Sequence, residues 1–335
     1  MRARRTLRSR LHALAVRVQM ASLVLVVGIT TSRTASAFCR TTTCPLPANW
    51  NPGVEGSCYP ADFEQYCQSL KRPVKPVPLW WRNACVSYDL QQDGTSVFPG
   101  KTAAHIVDAA FAKWTSATCG NGGFPSVAAV NLGPVACDQV QYNSGDGNQH
   151  VIVFRNPWPH PEDRLNTLGL TTVTFDPDTG ELYDADTEIN ASVSLSVDGS
   201  NGNDFESIIT HEAGHFLGMA HSVDADATMF AFYASTMRTL HPDDVDGICT
   251  IYPPGGGRSV DPSVSPTATI AADGCDPTPR HGFASRCSPN GCTLVSRGAV
   301  GVASPGGVVA AGFALLGVAS VRRRRQRWTD ACRQK

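Results

Sequence analysis

Five residues in one short stretch have the types and spacing of a catalytic zinc site. His211, Glu212, His215, Gly218 and His221 form the pattern H-E-x-x-H-x-x-G-x-x-H. Histidines four residues apart lie one turn apart on the same face of a helix, so both imidazoles can reach one Zn²⁺ at ~2.0–2.1 Å. The glycine can adopt a positive φ, and the turn it permits would bring the third histidine back to the same ion.

The number of ligands predicts the kind of site. Three protein ligands leave the fourth position of a tetrahedral zinc open for water, as in catalytic rather than structural sites. Glu212 follows the first ligand and is placed to act as a general base toward that water. The alternative is an ordinary buried helix with core histidines, but the long pattern makes a chance match rare.

Local signals predict the elements that position this stretch. Asp204 is a good N-cap for a helix through the motif, and a second helix is predicted over 242–251. A helix over 102–115 has apolar residues at helical spacing. Strands are predicted at 85–90, 150–154, 170–175 and 182–190. We expect the last of these to be an edge strand, extended by 193–197.

The charge is unevenly distributed along the 335 residues. Seven arginines and no acid lie in 1–37, and six arginines and a lysine lie in 322–335 with one aspartate. The part between them holds 14 basic and 28 acidic residues. An acidic body argues against nucleic acid as a partner, and the 42% hydrophobic content allows a packed core.

The twelve cysteines indicate an oxidising compartment. Ten of them lie between Cys39 and Cys287, and no C-x-x-C pair is present, which favours disulfides over a zinc cluster. Four cysteines in 38–78 allow three pairings, which sequence leaves open. We expect Cys119 to pair with Cys137 across a glycine-rich loop, and Cys275 to pair with Cys287.

The N-terminal residues have the pattern of a signal peptide. An arginine-rich start precedes an apolar run from Met20 to Ile29 and the small-residue sequence Ala35-Ser36-Ala37. The run is too short to span a bilayer. The mature chain is therefore predicted to begin near Phe38. Arg4-Arg5 would indicate export by the twin-arginine route, but the many cysteines favour export by the general secretory route.

A second apolar run lies at the C-terminus. Residues 298–321 carry no charge, are long enough for a transmembrane helix, and precede the arginines of 322–325. With Cys292, this arrangement resembles the MYXO-CTERM sorting tag of myxobacterial surface proteins. The resemblance implies membrane attachment before processing and release to the cell surface; a plain C-terminal anchor is the alternative.

Acidic residues after the 170–175 strand are candidate calcium ligands. Asp176-Pro177-Asp178-Thr179-Gly180 is a turn whose D-x-D-x-G pattern could also hold Ca²⁺. The turn interpretation is favoured, because no downstream bidentate glutamate completes a full loop. The candidate calcium ligands are Asp176, Asp178, Asp184 and Asp186.

The residues from His211 to Ser222, H-E-A-G-H-F-L-G-M-A-H-S, resemble the zinc signature of matrixin-type metzincins. Met229 stands where the family places its Met-turn, a methionine beneath the metal, although Met237 is an alternative. The 240–252 stretch resembles the family's C-terminal helix. The resemblance covers roughly 79–254. It implies an α/β (α+β) metzincin-like fold, with a twisted mixed sheet over the active-site helix and a helix after the Met-turn.

Two features of animal matrixins find no residues here. No P-R-C-G-x-P-D segment supports a cysteine switch, and the histidines of a second, structural zinc are not recognisable between Leu168 and Asp186. The prediction is therefore one catalytic Zn²⁺. Substrate is expected to lie along 184–190, and the resemblance implies that the loop 230–241 walls the pocket for the residue after the scissile bond.

The predicted organisation has six parts. They are a signal peptide (1–37), a cysteine-rich segment (38–78), a matrixin-like catalytic domain (79–254), a linker (255–290), a sorting tag (291–326) and a tail (327–335). The predicted function is an exported, monomeric zinc metalloendopeptidase acting on proteins or peptides. The alternatives are an inactive surface or adhesion protein with a matrixin-like domain, and a zinc hydrolase of non-peptide bonds.

Overall fold

The structure, a computed structural model, describes residues 37–160, 166–234, 237–255 and 276–284, and the backbone of 309–314. All of these belong to one of two units of the chain, Ser36–Lys335. The predicted signal sequence up to 36, the Cys275–Cys287 pair, most of the linker, the arginine cluster and the tail lie outside the described residues.

A mixed sheet forms the centre of the fold. Its strand order is β10-β5-β6-β4-β2-β3, in which β2, β3, β4 and β6 are parallel and β5 and β10 are antiparallel to their neighbours. Two short pairs, β1 with β9 and β7 with β8, lie outside this sheet. The strands are β1 (Cys39–Arg40), β2 (Cys85–Gln91), β3 (Ala128–Val135), β4 (Val151–Arg155), β5 (Gly169–Phe175), β6 (Leu182–Asn190), β7 (Leu195–Ser196), β8 (Asn203–Asp204), β9 (Met219–Ala220) and β10 (Val309–Ala314).

Five helices are present in the described part of the chain. The longest are α3 (Gly100–Thr115), α4 (Phe205–Phe216) and α5 (Pro242–Ile251), and α1 (Pro52–Glu55) and α2 (Phe63–Ser69) lie in the cysteine-rich segment. The side chain of Asp204 accepts a hydrogen bond from the Ser207 amide, which confirms the predicted N-cap of α4. The mixed sheet, the α4 helix and the α5 helix confirm the predicted fold class.

The core lies between one face of the sheet and helices α3 and α4. Phe111 and Trp114 of α3 are buried there with Phe216 of α4. The indole Nε1 of Trp114 donates to the Thr210 carbonyl at 2.8 Å, so α3 is fixed against the helix that carries the motif. Apolar packing of this kind supplies most of the stability of a helix in a protein.

The prediction that 182–190 is an edge strand is wrong. Strand β6 pairs with β4 on one side and β5 on the other. Its acidic side chains are buried as well, and Asp184 is only 2% exposed. Their face of the sheet is covered because Val140 and Ala284 pack over the neighbouring strand β4. The expectation that substrate lies along 184–190 is therefore wrong as well. The 193–197 extension is also wrong, since β7 pairs with β8 instead.

The predicted transmembrane helix over 298–321 is wrong at 309–314. These residues form β10, which runs antiparallel to β5. Gly312 disfavours a helix interior, and the edge of β5 offers unpaired backbone groups to an added strand. The rest of 298–321 lies outside the described residues. In the part of the chain that is described, no helix is long and apolar enough to cross a bilayer.

The prediction of disulfides is confirmed. Cys39 pairs with Cys58, Cys44 with Cys67 and Cys119 with Cys249. The expected Cys119–Cys137 pair is wrong, because Cys119 follows α3 and meets Cys249 on α5 across the core. This bond joins residues 130 positions apart and ties the end of α3 to α5.

Candidate active site

Three imidazoles converge at the end of helix α4. The Nε2 atoms of His211 and His215 are 3.1 Å apart, and those of His215 and His221 are 3.2 Å apart. Among the described residues this is the one group of three or more candidate ligands that is close enough to hold a metal ion. Helix α4 supplies the first two histidines at one-turn spacing. Gly218, with a φ of 94°, turns the chain so that the third returns.

Backbone carbonyls orient two of the three rings. His211 Nδ1 lies 2.6 Å from the Thr228 carbonyl, and His215 Nδ1 lies 3.0 Å from the Met219 carbonyl. Since a carbonyl only accepts, each Nδ1 is the protonated nitrogen and each Nε2 turns a lone pair toward the centre. Lone pairs facing each other in a buried space are stabilised by a cation, so the donor set fits zinc.

The protein environment keeps these rings neutral. Burial lowers the pKa of His215 to about 4 and holds the pKa values of His211 and His221 well below their usual range. Only neutral imidazole binds a metal, so burial prepares the rings as ligands before any ion arrives.

Glu212 is fully buried beside the histidines. Its Oε2 accepts a hydrogen bond from Thr171 Oγ1 at 2.7 Å, whereas Oε1 has no hydrogen-bond partner in the described structure. Burial raises the pKa of Glu212 to about 8. A cation in the histidine cluster would favour the ionised form. Oε1 is thus the carboxylate oxygen whose capacity to accept a proton is unused.

Strand β5 passes directly against this carboxylate. A Cβ built on Gly169 would lie 2.5 Å from Glu212 Oε1, so only glycine leaves the carboxylate in its place. No sequence pattern predicts a role for Gly169 or Thr171. The run of β-branched residues in 170–175 predicts a strand, but nothing local shows that this strand meets the motif helix.

Met229 lies beneath the site. A Cβ built on Gly214 of α4 would be 2.3 Å from the Met229 sulfur, which shows how closely the methionine packs under the helix. The carboxylate of Asp244 accepts hydrogen bonds from the amides of Thr228 and Met229 at 2.7 and 3.0 Å. The same turn provides the carbonyl that orients His211. The packing favours Met229 over Met237 as the Met-turn residue.

The chain after Met229 is anchored to the start of α4. Arg238 donates two hydrogen bonds to the Asp204 carboxylate, at 2.6 and 2.7 Å. The hydroxyl of Tyr233 accepts from the Asp204 amide at 2.6 Å. The loop predicted to wall a substrate pocket is therefore fixed to the N-cap of the helix that carries the histidines.

The four candidate calcium ligands are placed in two different settings. Asp176 accepts from the amides of Asp178 and Thr179 and from the Tyr183 hydroxyl, which makes it the centre of a turn. Asp178 is exposed. Asp184 and Asp186 lie side by side on β6 and are buried. The calcium site stays a prediction.

Comparison with known proteins identifies the family of this chain. Residues 80–253, half of the chain, match the matrixin family model. The chain belongs to the matrixin family. It is 34% identical to human neutrophil collagenase over 113 residues, which is 33% of this chain and 22% of the collagenase. It is 35% identical to human matrix metalloproteinase-27 over 113 residues, 33% of this chain and 21% of that protein.

A plant protein gives a similar result. Metalloendoproteinase 4-MMP of Arabidopsis thaliana is 33% identical over 110 residues, 32% of each chain. The matched part of this matrixin thus spans a third or less of the length of each of these curated relatives. The comparisons show a domain of the zinc metalloendopeptidase type, which is the coarser part of the predicted function.

Proposed function

We propose that this matrixin is an active, exported zinc endopeptidase. The observation that carries the proposal is the convergence of three neutral imidazole Nε2 atoms, together with the unpartnered Oε1 of the buried glutamate that follows the first histidine. Three nitrogen ligands with a position left open are the arrangement of catalytic zinc sites. A structural site would present a fourth protein ligand.

Each residue has a distinct role in the proposed reaction. His211, His215 and His221 hold Zn²⁺, which when bound supplies Lewis acidity toward water and the scissile carbonyl. Glu212 accepts a proton from the attacking water as the water oxygen bonds to the carbonyl carbon. The same carboxyl then donates the proton to the leaving nitrogen as the C–N bond breaks. Thr171 keeps the other carboxylate oxygen in place, so that Oε1 is the oxygen that exchanges protons.

Glu212→Gln tests this assignment. The amide keeps the size of the side chain but cannot accept the proton, so we expect one bound zinc per chain and a loss of turnover of about 10²–10⁴-fold. Glu206→Gln is the matched control, because Glu206 lies on the same helix and pairs with Lys113 instead of the site. Turnover near wild type in Glu212→Gln would contradict the role of Glu212.

Export is proposed on separate grounds. The disulfides of the described domain are those of a protein folded in an oxidising compartment. Together with the N-terminal apolar run and Ala35-Ser36-Ala37, they support cleavage near Phe38. N-terminal sequencing of the exported protein is expected to read Phe-Cys-Arg; an N-terminus that retains the arginine-rich start would contradict the proposal.

A further inference from the structure

The cysteine-rich segment reaches the metal site from outside the family domain. Residues 39–41 precede the matched range, which begins at 80. Strand β1 of this segment pairs antiparallel with β9, so that Cys39 faces Ala220 and Arg40 faces Met219. Strand β9 is the link between helix α4 and His221. The segment therefore forms the backbone partner of the stretch that delivers the third histidine.

Thr41 makes the most direct contact with this link. Its amide donates to the Gly218 carbonyl at 3.1 Å, and its hydroxyl donates to the Met219 carbonyl at 2.9 Å. The same Met219 carbonyl is the acceptor for His215 Nδ1 at 3.0 Å. Thr41 is 4% exposed, so water does not compete for this bond. One carbonyl thus joins the segment to the ring orientation of His215.

The backbone of Thr41 is also hydrogen-bonded to Leu79. Its carbonyl accepts from the Leu79 amide at 2.8 Å. The Leu79 carbonyl oxygen in turn would lie only 2.9 Å from a Cβ built on Gly218. The turn between His215 and His221 is therefore enclosed between residue 41 and residue 79. Neither neighbour belongs to the zinc motif.

The two disulfides of the segment differ in their relation to the site. Cys39 lies in β1 and directly opposite Ala220, the residue before His221, and its bond to Cys58 anchors that strand. Cys44 and Cys67 close a loop of similar length, 23 residues against 19, within a separate small cluster around Phe63. Only the first bond acts on the strand that meets β9.

We propose that residues 39–41 position the zinc ligands: Thr41 orients His215 through the Met219 carbonyl, and the Cys39–Cys58 disulfide holds β9 and thereby His221. The proposal rests on the proposed zinc site. Groups hydrogen-bonded directly to a metal-binding histidine typically contribute 10–100-fold to metal affinity or activity, and Thr41 acts one hydrogen bond further out. Thr41 is thus a positioning residue that touches neither metal nor substrate.

Thr41→Val tests the hydroxyl, with Thr43→Val as its matched control. Thr43 is also buried, and its hydroxyl donates to the Lys75 carbonyl at 2.6 Å, away from β9. Zinc dissociation constants from chelator competition are expected to rise by up to about 10-fold for Thr41→Val, the low end of the range for direct partners, and to stay near wild type for Thr43→Val. The visible spectrum of the Co²⁺-loaded protein should change only for Thr41→Val. Equal zinc affinities and spectra in the two variants would overturn the role of Thr41.

The disulfide is tested in the same way. Cys39→Ser/Cys58→Ser is compared with Cys44→Ser/Cys67→Ser, because loops of similar length affect the unfolded chain to a similar degree. We expect only the first double variant to bind zinc more weakly at a temperature where both are folded by circular dichroism. Equal affinities would overturn the role of the disulfide. Failure of the wild-type protein to bind zinc would instead overturn the proposed function itself.

Discussion

Two backbone carbonyls and one hydroxyl orient His211, His215 and Glu212 of the zinc motif. The Thr228 carbonyl orients His211, the Met219 carbonyl orients His215 and Thr171 binds Glu212. The motif spacing predicts which side chains approach a metal, because one helical turn brings them together. Thr171 and Thr228 come from a strand and a turn outside the motif, so local patterns cannot reveal them.

Gly169→Ala is expected to impair catalysis through Glu212. The added methyl would lie 2.5 Å from Oε1, so the carboxylate must move. A displacement of about 1 Å in a catalytic group can reduce the rate ~10²-fold. We expect kcat to fall by about that factor while zinc content stays at one per chain. Steady-state kinetics and metal analysis measure the two quantities.

Gly145→Ala is the control for this substitution. A Cβ built on Gly145 meets no atom within 4 Å, and its φ is not in the left-handed region. This variant should keep wild-type kinetics. If Gly169→Ala were as active as Gly145→Ala, the close approach of β5 to Glu212 would have no catalytic consequence.

At the scale of elements, strand β6 carries two neighbouring buried acids. Burial raises the pKa of Asp186 to about 8, and burial together with the adjacent Asp186 raises the pKa of Asp184. His150, 3.7 Å from Asp184, supplies no compensating charge, because burial lowers its pKa to about 4. The folded state thus keeps protons that the unfolded chain releases near pH 4.

The pH dependence of stability follows from the sign of these shifts. Because the pKa values of the two acids are raised in the folded state, the pair contributes its full stabilisation of the fold below about pH 4. This stabilisation is lost as the pH rises toward about 8. Asp184→Asn removes one of the two acids. In calcium-free buffer, we expect the variant to be about 1–3 kcal/mol more stable than wild type at pH 8, with no gain at pH 4.

Urea unfolding at the two pH values measures this difference, with Asp178→Asn as the control at an exposed turn position. A loss of stability in Asp184→Asn at pH 8 would contradict the account of the pair. Added Ca²⁺ tests the calcium prediction in the same experiment. Stabilisation of wild type by Ca²⁺ that is lost in Asp184→Asn would favour Asp184 as a ligand.

The elements differ in how far sequence could predict them. Helices α4 and α5 were predicted because their caps and apolar spacing are local signals. The interior position of β6, the Cys119–Cys249 bond and the β1–β9 pair depend on contacts between distant residues. The 298–321 run is apolar enough to predict a helix, yet residues 309–314 pair with β5, which a composition-based argument could not anticipate.

At the scale of the whole molecule, two parts of the chain meet at one site, and a disulfide closes the larger part. The matrixin domain supplies the histidines and Glu212, the cysteine-rich segment supplies the partner of β9, and the Cys119–Cys249 bond ties α5 to the end of α3. Asp244 of α5 holds the turn that orients His211. The site therefore depends on long-range closure of the fold as much as on the motif.

Proteolysis measured with and without metal tests the central claim most directly. The purified, disulfide-bonded protein is incubated with casein in zinc-containing buffer, after removal of metal by a chelator, and after zinc is added back to the metal-free protein. We predict cleavage with zinc, loss of cleavage on chelation, recovery on addition of zinc, and little activity of Glu212→Gln in all three conditions. Zinc bound at one per chain without any cleavage of casein would contradict the claim that this matrixin is an active endopeptidase.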